Sequence, residues 1–208
     1  MVELKILVGC ETSGEVRESF RSLGHDAWSL DIYGSDDASD FHIIGDVKEH
    51  LYMGWDIIIL HPPCTALAVS GNRYYGKGGP KHSERLLAQE WTVDLWFKAT
   101  GACPHVAMEN PVGDLPLGAS QYIQPYEYGH AESKKTCLWL HGLPRLRPEN
   151  IVKLPDRGFW DNQTPSGQNK IPPIKDRAKL RSKTYSGVAK AMANQWGTFV
   201  QKERENAY

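Results

Sequence analysis

The run Ile57-Ile58-Ile59-Leu60, followed at once by His61-Pro62-Pro63-Cys64, limits the folds open to this chain more than any other stretch. Four consecutive large apolar residues, three of them β-branched, predict a short strand covered on both faces, as in parallel α/β sheets. Pro62 and Pro63 supply no backbone N–H and exclude helix, so the chain leaves the sheet in a stiff turn. Cys64 then stands just beyond the carboxyl end of a central strand, where open α/β sheets bind ligands. A packed core thiol is the plain alternative, but a place on a Pro-Pro turn argues for reactivity.

The residues before this run repeat the α/β pattern. Leu4 to Gly9 predicts a first strand, Cys10-Glu11-Thr12-Ser13-Gly14 a tight turn, and Val16, Phe20 and Leu23 the buried stripe of a helix stopped by Gly24. Ala27 to Asp31 predicts a second strand ending on a carboxylate. Strand, small-residue turn, helix, strand and Asp form a nucleotide-type layout: helix N-terminal amides face the ligand, and Asp31 is placed to bind two ribose hydroxyls. A third strand, His42 to Val47, carries a second acidic residue, Asp46.

Beyond Cys64, the Gly/Tyr/Lys-rich stretch 65–79 predicts a long mobile loop over the site. Ser83 is the expected cap of a helix to about Thr100, buried through Leu87, Trp91 and Leu95. His105 to Pro111 predicts a fifth strand ending in Glu109-Asn110, a polar pair that a strand interior does not require and that points to the crevice of Cys64; a turn-forming Asn-Pro beside a solvated Glu is the alternative. Residues 124–129 read as an irregular loop, Cys137 to Leu140 as a strand, and Ser186 to Trp196 as a helix with Val188, Met192 and Trp196 on one face, before a polar tail.

Charge divides the chain. Lys and Arg minus Asp and Glu is −10 over residues 1–133 and +9 over 134–190, against −1 overall. Clustered cations suit a polyanion, although packing of the basic part against the acidic body would use the same charges. From 142 to 183 the chain is Pro-rich and basic without amphipathic period, predicting an extended loop, partly disordered or ordered only on binding. The four scattered cysteines lack zinc spacing, the first residues run straight into a strand, and no apolar stretch approaches a membrane span of roughly 20 residues. A reduced cytoplasmic protein with no metal and no membrane partner is the expectation.

His61-Pro62-Pro63-Cys64 together with Glu109-Asn110-Pro111 resembles the cytosine-5 DNA methyltransferases, and among them the short, phage-type members. The resemblance implies an α/β, Rossmann-like S-adenosylmethionine-dependent methyltransferase fold, a mostly parallel sheet with helices on both faces. It divides the chain into a catalytic core (1–141), a basic Pro-rich loop region as reduced target-recognition segment (142–183), and a closing helix with polar tail (184–208). It implies Cys10, Glu11, Thr12, Ser13 and Gly14 as the S-adenosylmethionine loop, with Asp31, Asp46 and Pro62 also toward the cofactor. Gly187 to Ala193 is similar to the family's last cofactor motif. Lys134 and Lys135 stand where the family carries an arginine motif, and Pro63 and Ser70 are placed toward the substrate.

The implied chemistry accounts for these residue types. Carbon 5 of cytosine is a poor nucleophile until a thiolate, here Cys64, adds to carbon 6. Glu109 would hold or protonate ring nitrogen 3, and Asn110 would buttress the Pro-Cys loop or bind the pyrimidine edge. A duplex substrate requires base flipping. The family's glycine-rich cofactor loop is replaced at Cys10-Glu11-Thr12, Pro111 replaces a Val, and the interval 142–183 falls below the ~50 residues of a small folded domain. DNA contacts would then fall to that interval's cations, Arg177 and Arg181 among them, with Phe159 or Trp160 stacking or wedging. Amino-methylating enzymes carry an aromatic after Pro-Pro; Cys64 disfavours that reading. A nucleotide or single-stranded substrate, and a non-catalytic cofactor- or DNA-binding module, are the competing expectations. The oligomeric state has no signal in the chain.

Overall fold

The computed structural model describes residues 2–167, 169–170 and 183–206. Arg177 and Arg181 lie outside the described residues. One seven-stranded sheet runs through the protein: β1 (Lys5–Gly9), β2 (Asp26–Asp31), β3 (His42–Ile44), β4 (Ile57–Leu60), β5 (Val106–Pro111), β6 (Gln121–Ile123) and β7 (Thr136–His141). Their order across the sheet is β3-β2-β1-β4-β5-β7-β6, with β7 antiparallel to both its neighbours and the other pairings parallel. This is the Rossmann-like, mostly parallel α/β sheet expected from the sequence.

Alternation along the strands divides the core. Ile6, Val8, Ile57, Ile59, Ala107 and Leu138 meet α1 (Glu15–Arg21) and α4 (Ser186–Asn206) on one face. Leu7, Ile58, Leu60, Val106, Met108 and Trp139 meet α3 (His82–Ala102) on the other. All four residues of β4 are fully buried, as the apolar run requires of a strand flanked by β1 and β5. Gly9, Asp31, Leu60 and Pro111 thus end at one sheet edge. Because β7 is antiparallel, its first residue, Thr136, starts there too.

Several local expectations fail for physical reasons. Leu23 is 43% exposed, and Arg17 takes its place under α1, satisfied by Ser29, Glu18 and Asp37. Helix α3 starts at His82 rather than at a Ser83 cap and turns Arg85, Thr92, Leu95 and Ala99 inward, leaving Leu87 65% exposed. β3 stops at Ile44, and Val47–Glu49 form a 3-10 turn capped by Asp46. β6 had no signal, and Pro125–Tyr128 is a 3-10 turn closed by a Gln124–Glu127 capping box rather than an irregular loop.

The stretch after Cys64 is not wholly irregular. It contains a 3-10 turn and α2 (Asn72–Tyr75), pinned by buried Arg85, which donates to the carbonyls of Ala66 (2.7 Å) and Ala68 (3.3 Å) and to Asn72 Oδ1 (2.8 Å). The described part of 142–170 has no regular structure but is laced to the body. Trp196 Nε1 donates to the Pro144 carbonyl (2.9 Å), Gln195 brackets Arg147, and Asn162 is paired with Ser133.

Candidate active site

Two hydrogen bonds join the turn after β4 to the end of β5. Asn110, 3% exposed, donates from Nδ2 to the Pro62 carbonyl at 3.0 Å. His61 Nδ1 lies 3.0 Å from Glu109 Oε2, with only 9% and 10% of the two side chains exposed. Adjacent strand residues face opposite ways, so Glu109 lies on the α1/α4 side and Asn110 on the α3 side of the same edge. Cys64, half-buried, follows in the same turn, and its carbonyl accepts from Leu67 (3.0 Å) and Ala68 (2.9 Å). Those residues are tied in turn to the loop after β5, through Val69 N to Val112 O and Asp114 N to Leu67 O. Pro62 is buried, whereas Pro63 and Ser70 are exposed.

Burial alone would push the Glu109 carboxyl up. The His61 hydrogen bond, the Lys134 ammonium and the Thr136 hydroxyl overcome it and hold the group below the usual carboxylate range. Lys134 reaches this position from the residues leading into β7, its ammonium 5.9 Å from the Tyr185 ring. Glu109, Lys134, Thr136 and Tyr185 share a cavity of ≈ 20 Å³, room for about one water. Lys135 is exposed and lies over Tyr122 (4.5 Å). On the other face Asn110, Leu67, Cys137 and Trp139 line a cavity of ≈ 200 Å³; Asn110 Oδ1 is buried there without a partner among the described residues.

Further along the edge, the β1–α1 turn is built around Glu11. Its Oε1 accepts from Val16 N (3.0 Å) and Ser13 Oγ (3.1 Å), while Ser13 Oγ accepts from Glu15 N (3.4 Å). Amides expected to face a ligand are therefore met by the protein's own side chains. Glu11 is 5% exposed, and its Oε2 is buried with no partner among the described residues. Cys10 adopts a left-handed backbone (φ 60°); burial, then the Asp31 and Asp46 carboxylates, push its thiol up to about 12. Cys10, Asp31, Asp46 and Lys48 therefore share one neighbourhood. Asp31 Oδ1 accepts from Tyr33 N and Asp46 Oδ1 from Lys48 N. Thr12 is half-buried, and Gly14 (φ 71°) opens α1.

A Glu11 carboxylate oxygen with no partner among the described residues, beside the Asp31 and Asp46 carboxylates, suits a ligand rich in N–H and O–H donors. Phe159 and Trp160 do not join this edge cluster. Trp160 stacks flat on Tyr126 (4.6 Å), and Phe159 lies under Arg157 and Lys170. Residues that sequence reasoning passed over are His61, Thr136, Tyr185 and Arg85. Only His61, beside Pro-Pro-Cys, carried a local signal.

Among solved structures, a methyltransferase of Entamoeba histolytica, EhMeth, is similar at 13% identity over 73% of this chain, with a TM-score of 0.46. The match spans 58% of that chain, less than two thirds of its length. No family model matches, and no curated protein matches.

Proposed function

We propose that this protein is an S-adenosylmethionine-dependent methyltransferase acting on carbon 5 of cytosine in DNA, with Cys64 as the nucleophile. The observation that carries the reading is the interlock of two sequence-distant motifs: Asn110 holds the Pro62 carbonyl and Glu109 holds His61, so the Cys64 turn and the acid-amide pair form one unit. Core packing alone needs neither a buried carboxylate nor a buried amide at a strand end.

When bound, S-adenosylmethionine supplies an electrophilic methyl group, and Glu11, Asp31 and Asp46 are the residues that would hold it. The Cys64 thiolate adds to carbon 6 of cytosine and makes carbon 5 electron-rich. Glu109 accepts from the exocyclic amine and handles the proton at ring nitrogen 3. Asn110 keeps the turn in place while the sulfur bonds, and the Lys134 charge offsets that developing beside Glu109. The ≈ 20 Å³ cavity beside Glu109 is too small for a base, so Tyr185 and Lys134 part on entry. A duplex cytosine would have to be flipped out.

A single-stranded or nucleotide substrate is the second reading. It is favoured by the lacing of 142–170 to the body and by the Trp160 stack on Tyr126, which leave no separate recognition unit among the described residues. Incubation with tritiated S-adenosylmethionine, followed by separation of DNA from nucleotides, tests both. Label in duplex DNA, absent with Cys64→Ser, supports the first reading; label confined to single strands or nucleotides supports the second. Absence of label from every fraction overturns both.

A further inference from the structure

Strands that run the same way in one sheet are joined by a crossover of about a dozen residues or more, as a rule a helix that covers the sheet. β5 and β6 run the same way, since each is antiparallel to β7, yet the chain crosses between them through residues 112–120 without a helix. Asn110, Cys137 and Tyr122 are register partners across β5, β7 and β6, so they form one row on the α3 side of the sheet. That row and the crossing loop enclose the cavity of ≈ 200 Å³. Its walls are held by hydrogen bonds: Asp114 N donates to the Leu67 carbonyl (2.9 Å), Gln89 Nε2 to the Asp114 carbonyl (2.7 Å), and Trp139 Nε1 to the Leu117 carbonyl (3.0 Å).

The lining has a definite chemistry. Leu67, Leu115, Leu117 and Trp139 make it largely apolar and aromatic. Asn110 has committed Nδ2 to Pro62, and its Oδ1 is buried with no partner among the described residues. Tyr122 is the exposed member of the row, and the Lys135 ammonium lies 4.5 Å from its ring centre. A buried acceptor calls for an N–H or O–H donor, aromatic walls for a flat ring, and an exposed cation for an anionic group. An apolar cavity of about 150 Å³ admits benzene, so ≈ 200 Å³ has room for a ring with polar substituents.

We propose that this cavity is a nucleotide-binding site on the face of the sheet opposite Glu109. It takes one nucleobase, with an N–H of the base on Asn110 Oδ1, the ring beside Trp139 and Tyr122, and the phosphate on Lys135. A free nucleotide and a nucleotide within a single strand share this chemistry. The inference does not rest on the cytosine reading. The occupant meets two residues that fix the Cys64 turn, because Asn110 holds the Pro62 carbonyl and Leu67 N donates to the Cys64 carbonyl.

The test is calorimetric titration of the full chain with dAMP, dCMP, dGMP and TMP, and with the corresponding single-stranded trinucleotides. Expected is binding that Tyr122→Ala and Ala119→Leu each weaken by roughly 10-fold or more, the first by removing a stacking surface and the second by filling the cavity. A base whose N–H hydrogens are replaced by methyl groups should bind weaker by a similar factor. Glu11→Gln and Glu109→Gln should leave the Kd within about twofold, since neither carboxylate lines this cavity. Tyr122 is exposed, so its variant keeps the fold even where filling at Ala119 disturbs the loop. Equal affinity for monophosphate and trinucleotide identifies a free nucleotide as the occupant, and a gain of roughly 10-fold or more in the trinucleotide identifies a strand. Absence of binding by every probe, or binding that Glu11→Gln or Glu109→Gln weakens while Tyr122→Ala and Ala119→Leu do not, overturns the proposal. The titration reads no methyl transfer, so its failure leaves the cytosine reading standing.

Discussion

Asn110→Asp isolates the bond that ties the Cys64 turn to β5. The substitution keeps shape and volume, so no cavity forms, and replaces the Nδ2 donor by an oxygen facing the Pro62 carbonyl at 3.0 Å. With 3% exposure, an ionised Asp there is desolvated and stands opposite an acceptor. Burial of this kind raises a carboxyl by several units, and about two to three units at ~1.4 kcal/mol each gives a loss of about 3–4 kcal/mol near pH 7.5. Protonated, the same Asp donates its O–H to Pro62 and restores the contact. The folded-state value is raised, so the stability is present below the unfolded value of ~3.9 and drains as pH rises through the folded value. Urea unfolding should therefore place the variant within about 1 kcal/mol of wild type near pH 4 and well below it near pH 7.5. Asn110→Ala should show a small pH-independent loss of about 1 kcal/mol, because it also removes the buried Oδ1, which has no partner among the described residues. Alkylation of Cys64, followed by peptide mass spectrometry, should quicken in Asn110→Asp at neutral pH. Equal stability of wild type and Asn110→Asp near pH 7.5 would refute the reasoning.

Other perturbations probe the same edge. Glu109 is held below its usual range, so its contribution is present above the unfolded value of ~4.3 and lost as pH falls through the lower folded value; Glu109→Gln should flatten that acid arm in denaturation against pH. Glu11→Gln should weaken S-adenosylmethionine binding by roughly 10–100-fold in calorimetric titration if the orphaned Oε2 receives a charged donor, and an unchanged Kd would remove Glu11 from the cofactor site. Gly9→Ala would put a Cβ 2.5 Å from Val47 Cγ2 and 2.9 Å from Leu60 Cδ2; a loss of about 1–3 kcal/mol by urea unfolding is expected, and a neutral result would mean the β1–β4 packing gives way freely.

The parallel strands were legible because β1, β2, β4 and β5 are short apolar runs ending in small or polar residues, a pattern set by burial on both faces. β6 was not, because Gln121-Tyr122-Ile123 is held by pairing with β7 rather than by its own composition. The buried face of α3 was misjudged because apolar spacing names Leu87, while the fold spends that face on Arg85, whose guanidinium the loop carbonyls need. The identity of the edge residues could be read from Pro-Pro-Cys and Glu-Asn. The His61–Glu109 and Asn110–Pro62 bonds each join positions 48 residues apart, so no local pattern reports them. Glu11 reads in sequence as part of a ligand loop; in the fold one of its oxygens accepts from Val16 N at the start of α1, and the other meets no partner among the described residues.

The central claim is that the sulfur of Cys64 bonds to carbon 6 of a cytosine, and a substrate that cannot release the group at carbon 5 tests it most directly. With S-adenosylmethionine and an oligonucleotide bearing 5-fluorocytosine, the account predicts a denaturation-resistant protein–DNA complex. Peptide mass spectrometry should place the nucleotide on Cys64, and Cys64→Ser should form no such complex. Methylated cytosine product without any covalent complex, or a complex that persists in Cys64→Ser, would contradict it.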